Sequence, residues 1–178
     1  MIVFLLAAIT ADGYIGRSDT DRSFDWTSVE DKKFYVDSIK RARAIVMGAK
    51  TFATFTRYPR GSKYVIYTHH PEDFSNPKPD VIEAEYTKES PEIIIQKLKD
   101  ENYSEVAICG GSSIYSMFLK AGLINKIYLT VEPKLFGKGV PLFNENLEVN
   151  LRLVRTENLS DQTVLLEYDV LADGAQNS

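Results

Sequence analysis

One stretch of the sequence, from Glu105 to Gly122, constrains the fold more than any other. It begins with the apolar run Val106–Cys109, turns at two glycines, and continues with apolar residues at helical spacing. This order predicts a buried strand, a tight turn and a helix that ends at a left-handed glycine. Because the first amides of a helix lack partners and its dipole favours negative charge, the turn is also a candidate phosphate site. It matches neither GxGxxG nor a Walker loop, so a purely structural turn remains open.

The composition limits the class of protein. A chain of 178 residues with 44% hydrophobic and 26% charged residues fits one globular domain that needs no metal or disulfide. We expect that domain to span residues 1–171, with 172–178 as a flexible tail. The net charge of −4 argues against a nucleic-acid partner or an anionic membrane surface. Cys109, the single cysteine, excludes an internal disulfide, fits a reducing cytoplasm and indicates a core residue.

The rest of the chain alternates strand and helix patterns. The apolar segment Ile2–Ile9 is too short to cross a bilayer and predicts a strand covered on both faces. Thr27 and Glu30 have capping-box spacing, which predicts a helix to about Arg43. We expect further strands at Ala44–Met47, Tyr64–Tyr67, Val81–Ala84 and Lys126–Val131, helices after Gly48 and at Pro91, and a hairpin of Leu151–Asn158 with Thr163–Val170. The pattern predicts a three-layer α/β fold with a mainly parallel central sheet and an antiparallel C-terminal hairpin.

Polar segments at strand ends are candidate ligand loops, because open α/β sheets bind ligands at the carboxyl ends of their strands. The loop Ala11–Gly16 leaves the first strand with two glycines around a hydrophobic pair. Gly48–Thr51 repeats the order of strand, glycine and helix, and its Lys50 and Thr51 suit a phosphate.

The two histidines of the chain, His69 and His70, follow a third strand. Adjacent side chains on an extended segment point to opposite sides, so this pair would not chelate one ion. With two histidines and one cysteine in the chain, we expect no metal site.

Asp31 is the most informative single carboxylate. It shares a helix face with Phe34 and Tyr35 and follows Trp26, the only tryptophan. A first-turn acid that offsets the helix dipole explains it fully. The alternative is a carboxylate set among aromatic residues to face a substrate, and the residue pattern leaves both open.

In this order, these segments resemble the dihydrofolate reductase-like superfamily, and the similarity extends to about Leu171. The superfamily includes dihydrofolate reductase and the riboflavin-biosynthesis reductase domain. The segments that carry the resemblance are Ala11-Asp12-Gly13-Tyr14-Ile15-Gly16, Trp26 with Asp31, Ile45–Phe52, Gly110–Tyr115 and Tyr128-Leu129-Thr130. The resemblance implies a reductase that carries hydride from NADPH to a heterocycle or a sugar-derived substrate.

The resemblance also implies where NADPH would bind. Gly110–Tyr115 would take the pyrophosphate, Gly48–Thr51 its other side, and Thr68 with His69 the adenosine 2′-phosphate. Dihydrofolate reductases often carry arginine at the position of Ala49, so here Lys50 or His69 would supply the positive charge. The expected cofactor contacts are Ile15, Gly16, Gly48, Ala49, Lys50, Thr51, Thr68, His69, Gly110, Gly111, Ser112, Ser113, Ile114 and Tyr115.

For the substrate, the resemblance points to the first helix. A carboxylate near its start hydrogen-bonds the pterin in dihydrofolate reductases, and that place falls on Asp31, with Thr130 beside it. These two are the expected catalytic residues. The expected substrate contacts are Ala8, Trp26, Phe34 and Tyr35.

Two departures distinguish the chain from a housekeeping dihydrofolate reductase. Ser62 stands where the folate-binding arginine is expected, although Arg60 and Lys63 are near. The segments Gly122–Lys126 and Val131–Phe143 instead resemble the riboflavin-biosynthesis branch, the C-terminal domain of RibD. That branch implies a cytoplasmic reductase of the 5-amino-6-(5-phosphoribosylamino)uracil type, acting on a pyrimidine or ribosylamino substrate.

Two alternatives stay open, a dihydrofolate reductase and a non-catalytic dinucleotide-binding protein. Retention of Trp26, Asp31 and Thr130 together counts against the second, because a scaffold would not need them. The resemblance further implies a homodimer. We expect its surface on an apolar edge strand of the terminal hairpin, with one face formed by Val164, Leu166, Tyr168 and Val170.

Overall fold

Ten strands and four α-helices make up the described part of the chain, residues 1–172, in a computed structural model. The strands are β1 (Ile2–Thr10), β2 (Tyr14–Gly16), β3 (Arg43–Gly48), β4 (Lys63–Tyr67), β5 (Glu83–Thr87), β6 (Glu105–Ile108), β7 (Lys126–Glu132), β8 (Val140–Pro141), β9 (Leu151–Asn158) and β10 (Val164–Val170). The helices are α1 (Val29–Ala42), α2 (Ala49–Phe52), α3 (Pro91–Asp100) and α4 (Ser112–Lys120). Apart from Ala172, the expected tail lies outside the described residues.

Eight strands form the main sheet in the order β5-β4-β3-β6-β1-β7-β10-β9. Neighbouring strands from β5 to β7 run parallel, whereas β10 runs antiparallel to both β7 and β9. Strands β2 and β8 form a separate two-stranded sheet. The predicted mainly parallel sheet with an antiparallel C-terminal hairpin is confirmed.

The side chains of β1 alternate between two apolar layers, because successive residues of a strand point to opposite faces. Leu5 packs in the cluster that includes Ile94 of α3 and Phe118 of α4. Phe4 packs in the opposite cluster, which contains Ile39 of α1. All five are at most 2% exposed, so β1 is covered on both faces and the fold has three layers.

The start of α1 differs from the sequence prediction. Ser28, not Thr27, is the N-cap, and its side-chain oxygen accepts a hydrogen bond from the backbone amide of Asp31. Ser28 is better placed because its extended backbone directs the hydroxyl at the third amide of the helix. The helix ends before Arg43, which adopts a left-handed conformation at φ 63°.

The predicted strand Val81–Ala84 was wrong in its bounds, because the strand is Glu83–Thr87. The amides of Val81 and Ile82 both bond to the Lys78 carbonyl and close a turn. The apolar character of Ile82 reflects burial of that turn beside the sheet. The helix expected after Gly48 is also short, a single turn in α2.

The outer strand of the hairpin is β9, so the prediction that Val164–Val170 forms the edge was wrong. Strand β10 lies between β7 and β9, and its four expected interface residues are only partly exposed. Strand β9 instead exposes Leu153 and Val154 by 54% and 48%. Within residues 1–172, no helix combines the length and apolar character needed to cross a membrane.

Candidate active site

A cleft of about 500 Å³ opens where β1, β3 and β6 end. Part of its lining is Cys109–Ser113 at the start of α4, and another part is Asp31 and Tyr35 on α1. The two parts meet where the Tyr35 side chain contacts the Cys109 thiol. Because parallel strands deliver their following loops to one edge of the sheet, residues far apart in the chain share this cleft.

The start of α4 offers exposed backbone. The Gly110–Gly111 peptide is cis, Gly110 has φ +89°, and its carbonyl accepts a hydrogen bond of 2.8 Å from the Gly48 amide. A Cβ on Gly111 would meet only the Thr51 Oγ1 atom, at 3.4 Å. Tyr115 fixes the turn from below, since its hydroxyl donates to the Leu6 carbonyl at 2.7 Å. The arrangement lets an anionic group approach the first amides of α4.

Asp31 lines the same cleft and is only 5% exposed. The hydroxyl of Thr130, on β7, donates to its Oδ1 atom at 2.5 Å. Burial raises the pKa of the Asp31 carboxyl, and the nearby charge of Glu132 acts in the same direction. The Thr130 hydrogen bond opposes that shift because it stabilises the carboxylate. A buried carboxyl whose pKa is raised in a cleft is suited to hold or release a proton.

The end of β7 also fixes the start of α1. The buried Glu132 carboxylate accepts hydrogen bonds from the Ser28 amide at 3.0 Å and from the Ser28 hydroxyl at 2.8 Å. The same Ser28 oxygen accepts from the Asp31 amide at 3.1 Å. Ser28 therefore joins the helix cap, the sheet and the backbone that carries Asp31.

Replacement of Ser28 by alanine should lower the free energy of unfolding by about 1–2 kcal/mol, because it removes an N-cap and one hydrogen bond to a buried carboxylate. Urea unfolding measures this change. Ser75→Ala is the control, since Ser75 is exposed and its side chain makes no hydrogen bond within residues 1–172. Equal stability of the two variants would contradict the cap.

Three buried polar atoms have no close hydrogen-bond partner within residues 1–172. They are Trp26 Nε1, Thr27 Oγ1 and Tyr35 Oη. A buried polar group without a partner costs about 1–3 kcal/mol. Of the three residues, Tyr35 lines the cleft, and its hydroxyl lies beside the Cys109 thiol.

An aromatic wall, defined here as Phe24, Tyr35 and Phe55, flanks Asp31. The Tyr35 and Phe55 rings stack with centroids 5.9 Å apart, and Phe24 meets each of them edge-on at 5.5 Å. All three line the cleft. Such a wall offers apolar surface to a planar ring.

The loop after β1 is held against the segment that follows β7. Asp12 accepts hydrogen bonds from the Gly137 amide at 2.7 Å, the Phe136 amide at 3.1 Å and the Thr10 hydroxyl at 2.6 Å. These bonds, the Thr10 bond most of all, lower the pKa of the Asp12 carboxyl. Pairing of β2 with β8 continues the contact, which places Ile15 on the cleft wall.

Most of the residues proposed from the sequence line this cleft. They are Ala8, Ile15, Gly16, Asp31, Tyr35, Lys50, Thr51, Gly110, Gly111, Ser112, Ser113 and Tyr115. Thr130 lies behind Asp31 rather than on the wall, and the other residues off the wall are Trp26, Phe34, Gly48, Ala49, Thr68, His69 and Ile114.

Several of these off-wall residues have clear structural contacts. Trp26 packs edge-on against Phe136, and Phe34 packs against Tyr128. His69 is exposed beyond β4, where its ring meets Tyr67. Their proposed ligand roles stay predictions.

Sequence reasoning missed Phe24 and Phe55 as members of the site, and it missed the role of Asp12 in fixing the loop beside it. The aromatic wall has no local signal, because Phe24 and Phe55 meet only through the fold. For Asp12, a carboxylate directly after a buried strand was a usable signal, since aspartate often binds nearby amides in turns. Its partners Phe136 and Gly137 could not be inferred from that pattern.

Comparison with known proteins agrees with this arrangement. A family model described as the RibD C-terminal domain matches residues 1–165. The chain belongs to the RibD C-terminal domain family. The predicted riboflavin-biosynthesis branch of the dihydrofolate reductase-like superfamily is therefore confirmed.

Two similar proteins match nearly all of the chain. The uncharacterized protein YwjB of Bacillus subtilis is 27% identical over 173 residues, which cover 92% of this chain and 95% of that protein. A putative riboflavin biosynthesis protein from Shewanella sp. PV-4 has a similar structure, with a TM-score of 0.77 at 21% identity, covering 97% of this chain and 100% of the other.

A second solved structure is similar over part of its length. It is the diaminohydroxyphosphoribosylaminopyrimidine deaminase/5-amino-6-(5-phosphoribosylamino)uracil reductase of Thermotoga maritima. The TM-score is 0.76 at 20% identity, and the match covers 96% of this chain but 56% of the other. At these identities the two structures establish the fold that the chains share.

Proposed function

We propose that this protein is an NADPH-dependent reductase that transfers hydride to a pyrimidine or ribosylamino substrate, with 5-amino-6-(5-phosphoribosylamino)uracil and related compounds of the riboflavin pathway as the first acceptors to test. One observation carries the proposal. A single cleft is lined both by the helix start beside Gly111 and by the buried Asp31, which Thr130 holds by a hydrogen bond. The family and the name of the Thermotoga maritima neighbour, a uracil reductase, support the reaction class.

The glycine turn fits the phosphates of a dinucleotide. A Cβ at Gly111 would meet only the Thr51 Oγ1 atom, at 3.4 Å, and both Lys50 and Thr51 line the same cleft. The α4 dipole adds positive potential at its first amides. When bound, the nicotinamide group supplies the hydride, while this part of the cleft binds and orients the phosphates.

The chain's own contribution at Asp31 concerns a proton. Reduction of a C=N or C=C bond by hydride leaves a negative charge that one proton must neutralise. Asp31 is the carboxyl group that α1 contributes to the cleft, and burial favours its protonated form. Thr130 holds the carboxyl in one orientation, and the aromatic wall excludes water from it.

Lys50 is the basic side chain on the cleft wall, and it forms an exposed ion pair of 3.2 Å with Asp19. If Lys50 binds the adenosine 2′-phosphate, Lys50→Ala should lower the affinity for NADPH by roughly threefold to tenfold, as expected for one exposed charge. The affinity for NADH should be unchanged. Titration of both cofactors measures this difference. Lys33→Ala, which removes an exposed lysine on α1, is the control. Equal losses for the two cofactors would remove the 2′-phosphate role.

The cleft argues against a dihydrofolate reductase. Arg60 and Lys63, the basic residues nearest to the expected folate-binding position, border a separate hollow below the sheet. Lys63 is bound there by the carboxylates of Glu83, Glu85 and Glu101 at 2.7–3.4 Å. Neither residue lines the cleft in which the glutamate tail of folate would need a cation.

The proposal is tested by following NADPH absorbance with dihydrofolate and with 5-amino-6-(5-phosphoribosylamino)uracil and related pyrimidines. Oxidation of NADPH with a pyrimidine, and none with dihydrofolate, is the expected result. NADPH binding without turnover on any acceptor would favour a non-catalytic dinucleotide-binding protein. Absence of NADPH binding would overturn the proposal.

We also propose a homodimer, now through β9. This outer strand exposes Leu153 and Val154 along with the free edge of the sheet. Exposed edge strands pair readily with another chain. Light scattering at micromolar concentration should give twice the monomer mass for the parent protein. The Leu153→Lys variant should give the mass of one monomer. A monomeric parent protein would contradict this assembly.

A further inference from the structure

We propose that Glu132 is a positioning residue of the reductase, which holds Asp31 in place and sets the pH range over which Asp31 carries a proton to give. This inference rests on the proposed reductase function and adds one residue to its machinery. Glu132 is the last residue of β7 and is only 3% exposed. It does not line the cleft, so it would act through Asp31 and not on the substrate.

The first observation is that β7 holds Asp31 at two points. Thr130 and Glu132 lie two residues apart on this strand, so their side chains share one face of the sheet. Thr130 donates a hydrogen bond to the Asp31 carboxylate itself. Glu132 Oε1 accepts from the Ser28 hydroxyl at 2.8 Å, and that same Ser28 oxygen accepts from the Asp31 amide at 3.1 Å. One oxygen atom therefore separates the Glu132 carboxylate from the Asp31 main chain.

The second observation is that Glu132 has no counter-charge. Its Oε1 atom accepts from the Ser28 amide and hydroxyl, and its Oε2 atom lies 3.4 Å from the Thr163 hydroxyl. No lysine or arginine within residues 1–172 forms an ion pair with it. These donors suit an ionised carboxyl, which only accepts. A buried charge without an opposite partner is costly, and a neutral acceptor would bind Ser28 at lower cost. The helix cap alone therefore does not explain the charge.

The third observation is the balance of charge around Asp31. Burial is the largest cause of its raised pKa. The charged or titratable groups that face it are Glu132 on β7, Lys32 on α1 and Tyr115 on α4. The Tyr115 phenol stays neutral, because burial raises its pKa well above the usual value. Glu132 raises the pKa of the Asp31 carboxyl, and this effect exceeds that of Lys32, which lowers it. The neighbouring charges therefore favour the protonated carboxyl that proton transfer needs.

Removal of the Glu132 charge should make Asp31 lose its proton at lower pH. Glu132→Gln keeps an oxygen that Ser28 can bind but carries no charge. We expect it to lower the titration midpoint of Asp31 by roughly 0.5–1 pH unit, within the spread that folded proteins impose on carboxyl groups. Turnover should match the parent below both midpoints and fall roughly threefold to tenfold above them. A merely structural role would lower turnover equally at every pH.

The experiment follows the Asp31 carboxyl directly, by carbon-13 NMR of aspartate-labelled protein across the pH range. The Asp31 resonance is the one that disappears in Asp31→Asn. Glu132→Gln should lower its midpoint, whereas the matched control Glu30→Gln should not, since Glu30 is exposed on the first turn of α1. A midpoint in Glu132→Gln equal to or above that of the parent would overturn the inference. If this variant does not fold, Glu132→Met, which has a similar length and no charge, carries the same prediction.

A further variant separates charge from anchoring. Glu132→Asp keeps the carboxylate but is shorter by one methylene, so it should lower the free energy of unfolding and keep the midpoint of the parent. A midpoint in Glu132→Asp as low as in Glu132→Gln would overturn the charge role. The NMR titration needs no turnover, so its failure refutes the role of Glu132 alone. Failure of the parent protein to bind NADPH would instead refute the reductase proposal.

Discussion

Asp31→Asn should lower the turnover of the true acceptor by about 10²–10⁴-fold, the range typical of a positioned acid or base. Asparagine keeps the shape of the side chain and can still accept the Thr130 hydrogen bond. It cannot release a proton. NADPH affinity should be unchanged because the proposed phosphate contacts are the first amides of α4 and not Asp31.

The control is Asp37→Asn, which removes an exposed carboxylate paired with Lys33 on the same helix. It should leave turnover unchanged. Thr130→Val should reproduce part of the Asp31 defect, since it removes the hydroxyl that orients the carboxyl. Full activity of Asp31→Asn on the true acceptor would exclude the carboxylate role but not the reductase assignment.

The pH dependence of the rate tests the role of Asp31 in a second way. If protonated Asp31 supplies the proton, the rate of the parent protein should fall as pH rises through its raised pKa, and the Asn variant should lack that step. Steady-state rates measured across the pH range with one acceptor test this. A shared profile would place the titrating group elsewhere.

The Asp31→Asn change should affect stability in the opposite direction from turnover. Burial raises the pKa of folded Asp31 above its unfolded value, so its contribution to stability is present at low pH and is lost as pH rises through the folded pKa. Above the folded pKa the parent keeps a costly buried carboxylate, which Asp31→Asn removes. We expect the variant to resist urea as well as the parent or better, although a simple helix-dipole role would cost it about 0.3–1 kcal/mol.

Gly111→Val should lower the affinity for NADPH by about 100-fold or more, because a branched side chain would block the amides of Ser112 and Ser113. Loss of two charge-assisted hydrogen bonds, each about 1.5–3 kcal/mol, gives a change of that size. The fold should survive, since Gly111 has an ordinary φ of −72° and a Cβ there meets only Thr51 at 3.4 Å. Isothermal titration measures the affinity.

Two further glycine variants make the result specific. Gly111→Ala adds one methyl group and should have a smaller effect on NADPH binding. Gly110→Ala should instead lower the melting temperature, because Gly110 has φ +89° and a Cβ there would overlap the Tyr115 ring. If Gly111→Val binds NADPH as well as the parent, the glycine turn is purely structural.

The framework of the fold could be predicted because each element has a local signal. The apolar β1, the glycine turn before α4 and the alternating hairpin strands were recognised from their own residues. The predictions failed where two neighbouring signals compete. Thr27 and Ser28 are adjacent and both are good helix caps, so the sequence does not decide between them. Val81 and Ile82 have the apolar character of a strand but belong to a turn.

The candidate site was less accessible to sequence reasoning. The resemblance brought Asp31 and Thr130 together, and the structure places them in contact. The aromatic partners Phe24 and Phe55, however, come from separate loops with no periodic pattern. The charge of the cleft also depends on which lysines and arginines face it, and that is set by packing.

The position of β1 in the sheet affects how this chain folds as it is synthesised. Strand β1 is made well before its two neighbours in the sheet, because its residues pair with partners at Glu105 and Lys126. At about 5–20 residues per second, ribosomes need roughly 6–25 s to reach those partners. During that interval the apolar β1 lacks both of its neighbouring strands. Folding dominated by such distant contacts is slow, so we expect the nascent chain to depend on chaperones that shield β1.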